Sequence, residues 1–163
     1  MDVGSSIITA IFLAICIVPF ILMGRSRKKR KKETLQSLSK IANQHNCNIS
    51  KHEIHPNFII GMDESKKFVF FVKKTDDKVT EQYINLAEIQ SCKVKTTGRT
   101  IEHNNGTQNL INKLELSFIA LDKNKKETTL ELFNADTTIQ LSGELQIAEQ
   151  WSKQINDLIK NKS

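Results

Sequence analysis

Residues 7–23 read IITAIFLAICIVPFILM, and RSRKKRKK follows at 25–32. An uncharged apolar run abutting a dense basic run limits where such a chain can sit. Thr9 is the only clearly polar side chain in the run. With its small flanking residues the tolerable span reaches ~20 residues, which at ~1.5 Å per residue matches a hydrocarbon core of ~30 Å. The pattern predicts a transmembrane anchor over residues 1–24. Pro19 lies near one end, where a membrane helix tolerates it. The alternative is a cleaved signal peptide, which would leave a secreted β-rich protein. Signal peptides carry positive charge before the apolar core and small residues after it. Here the front carries Asp2 and no Lys or Arg, and arginines follow Gly24.

Lys and Arg flanking a span stay cytoplasmic. Seven of the eight residues 25–32 are basic and none precedes the span, so the N-terminus is expected outside the inner (plasma) membrane and residues 25–163 in the cytoplasm. Cys16, Cys47 and Cys92 show no disulfide-framework spacing, as a reducing compartment predicts. The chain has 24 basic and 18 acidic side chains, and without those seven it has 17 basic. The excess positive charge is therefore local. Arg25, Arg27, Lys28, Lys29, Arg30, Lys31 and Lys32 are candidates for contact with anionic lipid head groups, each contributing ~1 kcal/mol near such a leaflet. The same run also serves as a topology signal. Its position beside a membrane argues against a nucleic-acid partner.

Residues 25–47 read as a basic juxtamembrane segment and a short amphipathic helix, with Leu35, Leu38, Ile41 and Ala42 at helical spacing. The period then changes to two. Strands are expected at 48–54, 58–62, 67–73, 82–86, 90–96, 113–121 and 127–134, with turns at Asp63-Glu64-Ser65 and Asp122-Lys123-Asn124. Residues 98–112, polar and rich in Asn and Gly, read as a long loop. From Ser142 to Lys160 the apolar residues Leu145, Ala148, Trp151, Ile155, Leu158 and Ile159 fall at intervals of three and four on one helix face. Ser142 is the expected N-cap.

Seven short strands closed by an amphipathic helix suggest a mainly-β domain over 48–163. The stretches FIIGMDESKKFVFFVK, YINLAEIQSCKVK, KLELSFIALDKNKKETTLELF and ELQIAEQWSKQINDLI together resemble bacterial pleckstrin-homology (PH)-like domains. The resemblance covers about residues 50–160 and implies a seven-stranded antiparallel barrel capped by the C-terminal helix. Trp151, Phe68, Phe70, Phe118 and Phe133 are the expected core aromatics. PH domains that bind inositol phosphates use basic residues around the first hairpin. Here Lys66 and Lys67 are offset by Asp63 and Glu64, so that chemistry is not carried over.

His45, Cys47, His52 and His55 lie close in sequence, but their spacing matches no zinc signature, and alternation would aim His52 and His55 apart. The pairs Asp63-Glu64 and Asp76-Asp77 read as solvated turns, and Cys92 as a small core residue. Asn105-Gly106-Thr107 fits the glycosylation tripeptide, which a cytoplasmic location makes irrelevant. No phosphate loop, nucleophile elbow or HExxH occurs. The reading is a single-pass, cytoplasm-facing, non-enzymatic binding or scaffold module without cofactor or metal, whose partners are the membrane and another protein. The alternative is an accessory subunit of a membrane enzyme or transport complex.

Overall fold

The computed structural model describes residues 32–75, 78–103, 106–138 and 140–161. The chain divides into two compact units, Met1–Ser37 and Leu38–Ser163. Of the first, only the opening of helix α1 (residues 32–44) is described.

In the second unit, α1 ends where Asn46 adopts a left-handed φ of 54° and the Cys47 N–H returns to the Ala42 carbonyl at 2.8 Å. Asn tolerates that conformation at a helix C-terminus. Four antiparallel strands follow in order: β1 (Lys51–Ile54), β2 (Phe58–Asp63), β3 (Phe68–Lys74) and β4 (Val79–Asn85). A 3-10 turn at Leu86–Glu88, capped by the Asn85 side chain on the Ala87 N–H, leads into a second antiparallel sheet. Its strands are β5 (Ile89–His103), β6 (Gly106–Ala120) and β7 (Thr128–Asn134), and α2 (Glu144–Lys160) completes the chain.

The inner face of the first sheet carries Phe58, Ile60, Met62, Val69, Phe71 and Ile84. They meet Leu114, Leu116 and Phe118 of β6, Leu130 and Leu132 of β7, and Ala148, Trp151, Ile155 and Ile159 of α2 in one apolar cluster. The outer face is buried too. Ile59, Phe70 and Val72 lie there, and Leu38, Ile41 and Ala42 of α1 are buried with them. A Cβ on Gly61 would stand 2.7 Å from Leu38 Cδ2, so this glycine lets helix and strand approach. Burial on both faces explains why β2 and β3 read as continuous apolar runs.

Trp151, Phe70, Phe118 and Phe133 are buried, whereas Phe68 is half-buried on the outer face.

The expected closed barrel is not what forms. The strands make separate four- and three-stranded sheets, and no backbone ladder joins β4 to β7. Side chains bridge that seam instead. Lys73 on β3 reaches Glu131 on β7 at 2.7 Å, and the Gln82 side-chain amide donates to the Thr129 carbonyl at 3.3 Å. Polar residues at the closing edge favour lacing over a dry ladder.

The expected transmembrane helix has no counterpart in the described structure. Its run at 7–23 lies outside the described residues, and among those described no helix is long and apolar enough to cross a membrane. What is shown is a β-rich unit.

Residues 98–112 are not a loop. β5 and β6 stay in register from Arg99↔Leu110 to His103↔Gly106, beyond an irregularity at Thr97/Gly98. Backbone pairing of this kind needs no apolar alternation. Ser142 is not the N-cap of α2. Gly143 takes that place with φ 91° and no side-chain cap, and the Glu144 carboxylate accepts the Ser142 N–H instead.

Candidate functional site

The seam that side chains close at one end stays open at the other. Past Gln82 and Thr129, β4, the 3-10 turn and the β6–β7 hairpin part around a groove of about 310 Å³. Ile84, Ile89 and Ala120 line it as apolar residues. Tyr83 borders it and is 53% exposed, and its ring is braced by His45 at 4.0 Å between centroids. Leu121, also 53% exposed, follows Ala120 and donates its N–H to the Glu88 carbonyl at 2.8 Å. Lys125 and Lys126 stand on the rim with Glu88. Lys125 pairs with Glu88 at 2.6 Å; that hydrogen bond and charge hold the Glu88 carboxyl below its ordinary value and the Lys125 ammonium above its own. Among the described residues Lys126 makes no ion pair. The arrangement can take up an extended apolar side chain beside an anion, and it holds no acid–base pair aimed at a substrate.

Three polar clusters lie elsewhere, two of them buried and the third partly exposed. His55, between β1 and β2, stacks on Phe58 at 4.8 Å between centroids, and its Nε2 lies 3.2 Å from the Ser142 carbonyl. The same nitrogen is 3.6 Å from Glu144 Oε1, a wholly buried carboxylate at the start of α2. This pair pins the first turn of the sheet to α2 and is closed to solvent. Second, Asp63 accepts hydrogen bonds from the Ser65 hydroxyl at 2.6 Å, the Asn48 N–H at 2.8 Å and the Lys66 N–H at 3.0 Å. Burial works against its ionisation, but these donors outweigh burial and hold its carboxyl below the ordinary value. Third, Glu131 lies between Lys73 and Lys113, and Lys113 also meets Glu115 at 2.7 Å. Burial again raises the Glu131 carboxyl, and the two lysines lower it further than burial lifts it.

A fourth contact concerns the edge of the second sheet. Asn156 of α2 accepts the Cys92 N–H at 2.9 Å and donates to the Cys92 carbonyl at 2.7 Å, where the Ser152 hydroxyl adds a second donor at 3.0 Å. One amide side chain thus takes the place of a neighbouring strand.

The four residues weighed as zinc ligands go separate ways. His45 packs on Tyr83, Cys47 is buried and donates to the His45 carbonyl, His52 is exposed on β1, and His55 faces Glu144. Among the described residues no three His, Cys, Asp or Glu side chains converge to hold a metal ion. Of the basic run, Lys32 opens α1 and is exposed, while Arg25–Lys31 lie outside the described residues. Sequence reasoning missed Tyr83, Lys125 and Lys126, because only the meeting of two sheets brings a strand end and a distant hairpin together.

Comparison with family models, with curated proteins and with solved structures returned no match.

Proposed function

We propose that the chain is a non-enzymatic binding module, held at a membrane by its apolar and basic N-terminal residues, whose β-rich unit faces the cytoplasm and engages a protein partner. The observation that carries the binding role is the open groove, lined by Ile84, Ile89 and Ala120 and bordered by the exposed Tyr83. Apolar surface of this kind, rimmed by charge, suits docking. The sequence stretches resemble PH-like domains, many of which act as protein-binding modules, although a resemblance alone does not fix function. The membrane role rests on residues 7–32 as a sequence pattern. Tethering would raise the local concentration of a weak binder at the bilayer.

Two experiments test the reading. A reporter fused after Ser163 should be active in the cytoplasm, and alkaline phosphatase activity from the same fusion would reverse the orientation. A photo-crosslinker at Leu121 of the full chain should capture a discrete protein in the native host. Absence of any adduct, from Leu121 and from crosslinkers placed around the rest of the β-rich unit, would refute the binding role.

A further inference from the structure

We propose that the open end of the β4–β7 seam docks an extended segment of a partner protein in which a large apolar side chain is flanked by acidic residues. This rests on the binding-module reading above and gives that module a recognition chemistry.

The shape comes from the way the seam is laced. Lys73–Glu131 and Gln82–Thr129 hold the sheets together at one end, and beyond them the Lys125–Glu88 pair crosses at the rim of the groove. β4 is the last strand of its sheet, so its outer edge has no ladder partner there. An extended segment laid along that edge gains main-chain hydrogen bonds, the usual source of affinity when a strand is added to a sheet. The volume of about 310 Å³ is at the low end of the ~300–1,000 Å³ typical of ligand clefts, which suits one side chain and its neighbours.

The floor selects an apolar anchor. Ile84 and Ile89 of the main apolar cluster line the groove with Ala120, and Tyr83, 53% exposed, borders it. The Tyr83 ring packs on His45, so little freedom is lost on binding.

The rim selects the charge. It carries two lysines against one carboxylate, and Glu88 is already engaged by Lys125. A partner carboxylate beside the anchor would meet Lys126, which has no counter-ion in the described structure. A basic partner would find only an occupied carboxylate. A lipid phosphate is the weaker match, because Lys125 is already paired with Glu88 and Ile84, Ile89 and Ala120 make the lining apolar.

The test uses the full chain in detergent, labelled with nitrogen-15. The probes are three short synthetic peptides: a phenylalanine flanked by aspartates, the same peptide with lysines for aspartates, and the same with alanine for phenylalanine. The acidic phenylalanine peptide should bind saturably and shift amides in 79–89 and 120–129, and the other two should bind far more weakly. Tyr83→Ala and Lys126→Glu should each reduce affinity about tenfold, the loss expected of an anchor or a favourable charge. Both side chains are exposed, so the variants should keep the wild-type spectrum elsewhere. Lys153→Ala, on the exposed face of α2, should leave binding unchanged. Equal binding of the lysine peptide, shifts on another surface, indifference to Tyr83→Ala and Lys126→Glu, or no saturable binding would each overturn the proposal. Displacement of the same shifts by anionic vesicles, with no response to peptide, would overturn it in favour of lipid. None of these outcomes bears on whether a crosslinked partner exists, so the broader binding role stands or falls separately.

Discussion

Asn156→Ala tests how the free edge of β5 is managed. The wild-type side chain makes two hydrogen bonds to the buried backbone of Cys92, one to the N–H at 2.9 Å and one to the carbonyl at 2.7 Å. Alanine removes both. The carbonyl keeps the Ser152 hydroxyl at 3.0 Å, but the N–H keeps nothing among the described residues. Each lost bond contributes ~1 kcal/mol net, and an orphaned buried donor costs ~1–3 kcal/mol. Asn156 is half-buried, so water relieves part of this, and ~2–3 kcal/mol is the expected loss. Ser152→Ala leaves both backbone groups with a partner and should cost only ~0.5 kcal/mol. Urea unfolding of residues 25–163, followed by the single tryptophan, reads the difference. With a slope of ~1–3 kcal/mol/M, Asn156→Ala should lower the midpoint by roughly 1 M without changing the slope. An Asn156→Ala midpoint equal to wild type, or a larger effect from Ser152→Ala, would mean that the amide does not substitute for a strand.

Three further predictions follow from burial and charge. Trp151→Ala should cost ~3–5 kcal/mol, because the side chain is only 2% exposed at the centre of the main cluster, and Lys153→Ala should change stability by less than ~0.5 kcal/mol; a water-like emission from folded wild-type protein would contradict this burial. Asp63 has a folded-state value below its ordinary 3.8, so it contributes stability that is complete above that ordinary value and is lost as pH falls through the lower one. The stability gap between wild type and Asp63→Asn should therefore be widest near neutrality and shrink in acid below about pH 4, and a gap that grows on acidification would refute the assignment. In a Cys16→Ser background, a thiol reagent at mildly alkaline pH should label neither remaining cysteine until the protein unfolds: burial pushes Cys92 up to about 12 and, with Asp63 nearby, also raises Cys47.

What the sequence reveals of this fold follows from which contacts are local. The β2–β3 hairpin is visible because its turn lies within one short stretch and its apolar residues are dense. The buried face of α2 is visible because helical spacing alone identifies Ala148, Trp151, Ile155 and Ile159. The β5–β6 ribbon is hidden, since backbone pairing between Arg99 and Leu110 leaves no mark on side-chain polarity. Closure is hidden as well. Whether β4 and β7 join depends on Lys73, Gln82 and Glu131 meeting in space, and each reads in isolation as an ordinary surface residue. The groove inherits that difficulty, because two long strands, β5 and β6, separate Tyr83 from Lys126 in sequence.

The double-sided burial of the first sheet bears on where this chain can be cut. In sequence, the stretch before β1 reads as a short amphipathic helix between a basic run and the strands. In space, Leu38, Ile41 and Ala42 complete a layer over Ile59, Phe70 and Val72. A chain begun at Asn48 would keep every strand and the closing helix, yet it would bare a flat apolar face on β2 and β3. Surfaces of that kind recruit other copies of themselves. Such a truncation would fail through aggregation with its strands intact, and the smallest well-behaved piece of the protein begins before residue 38.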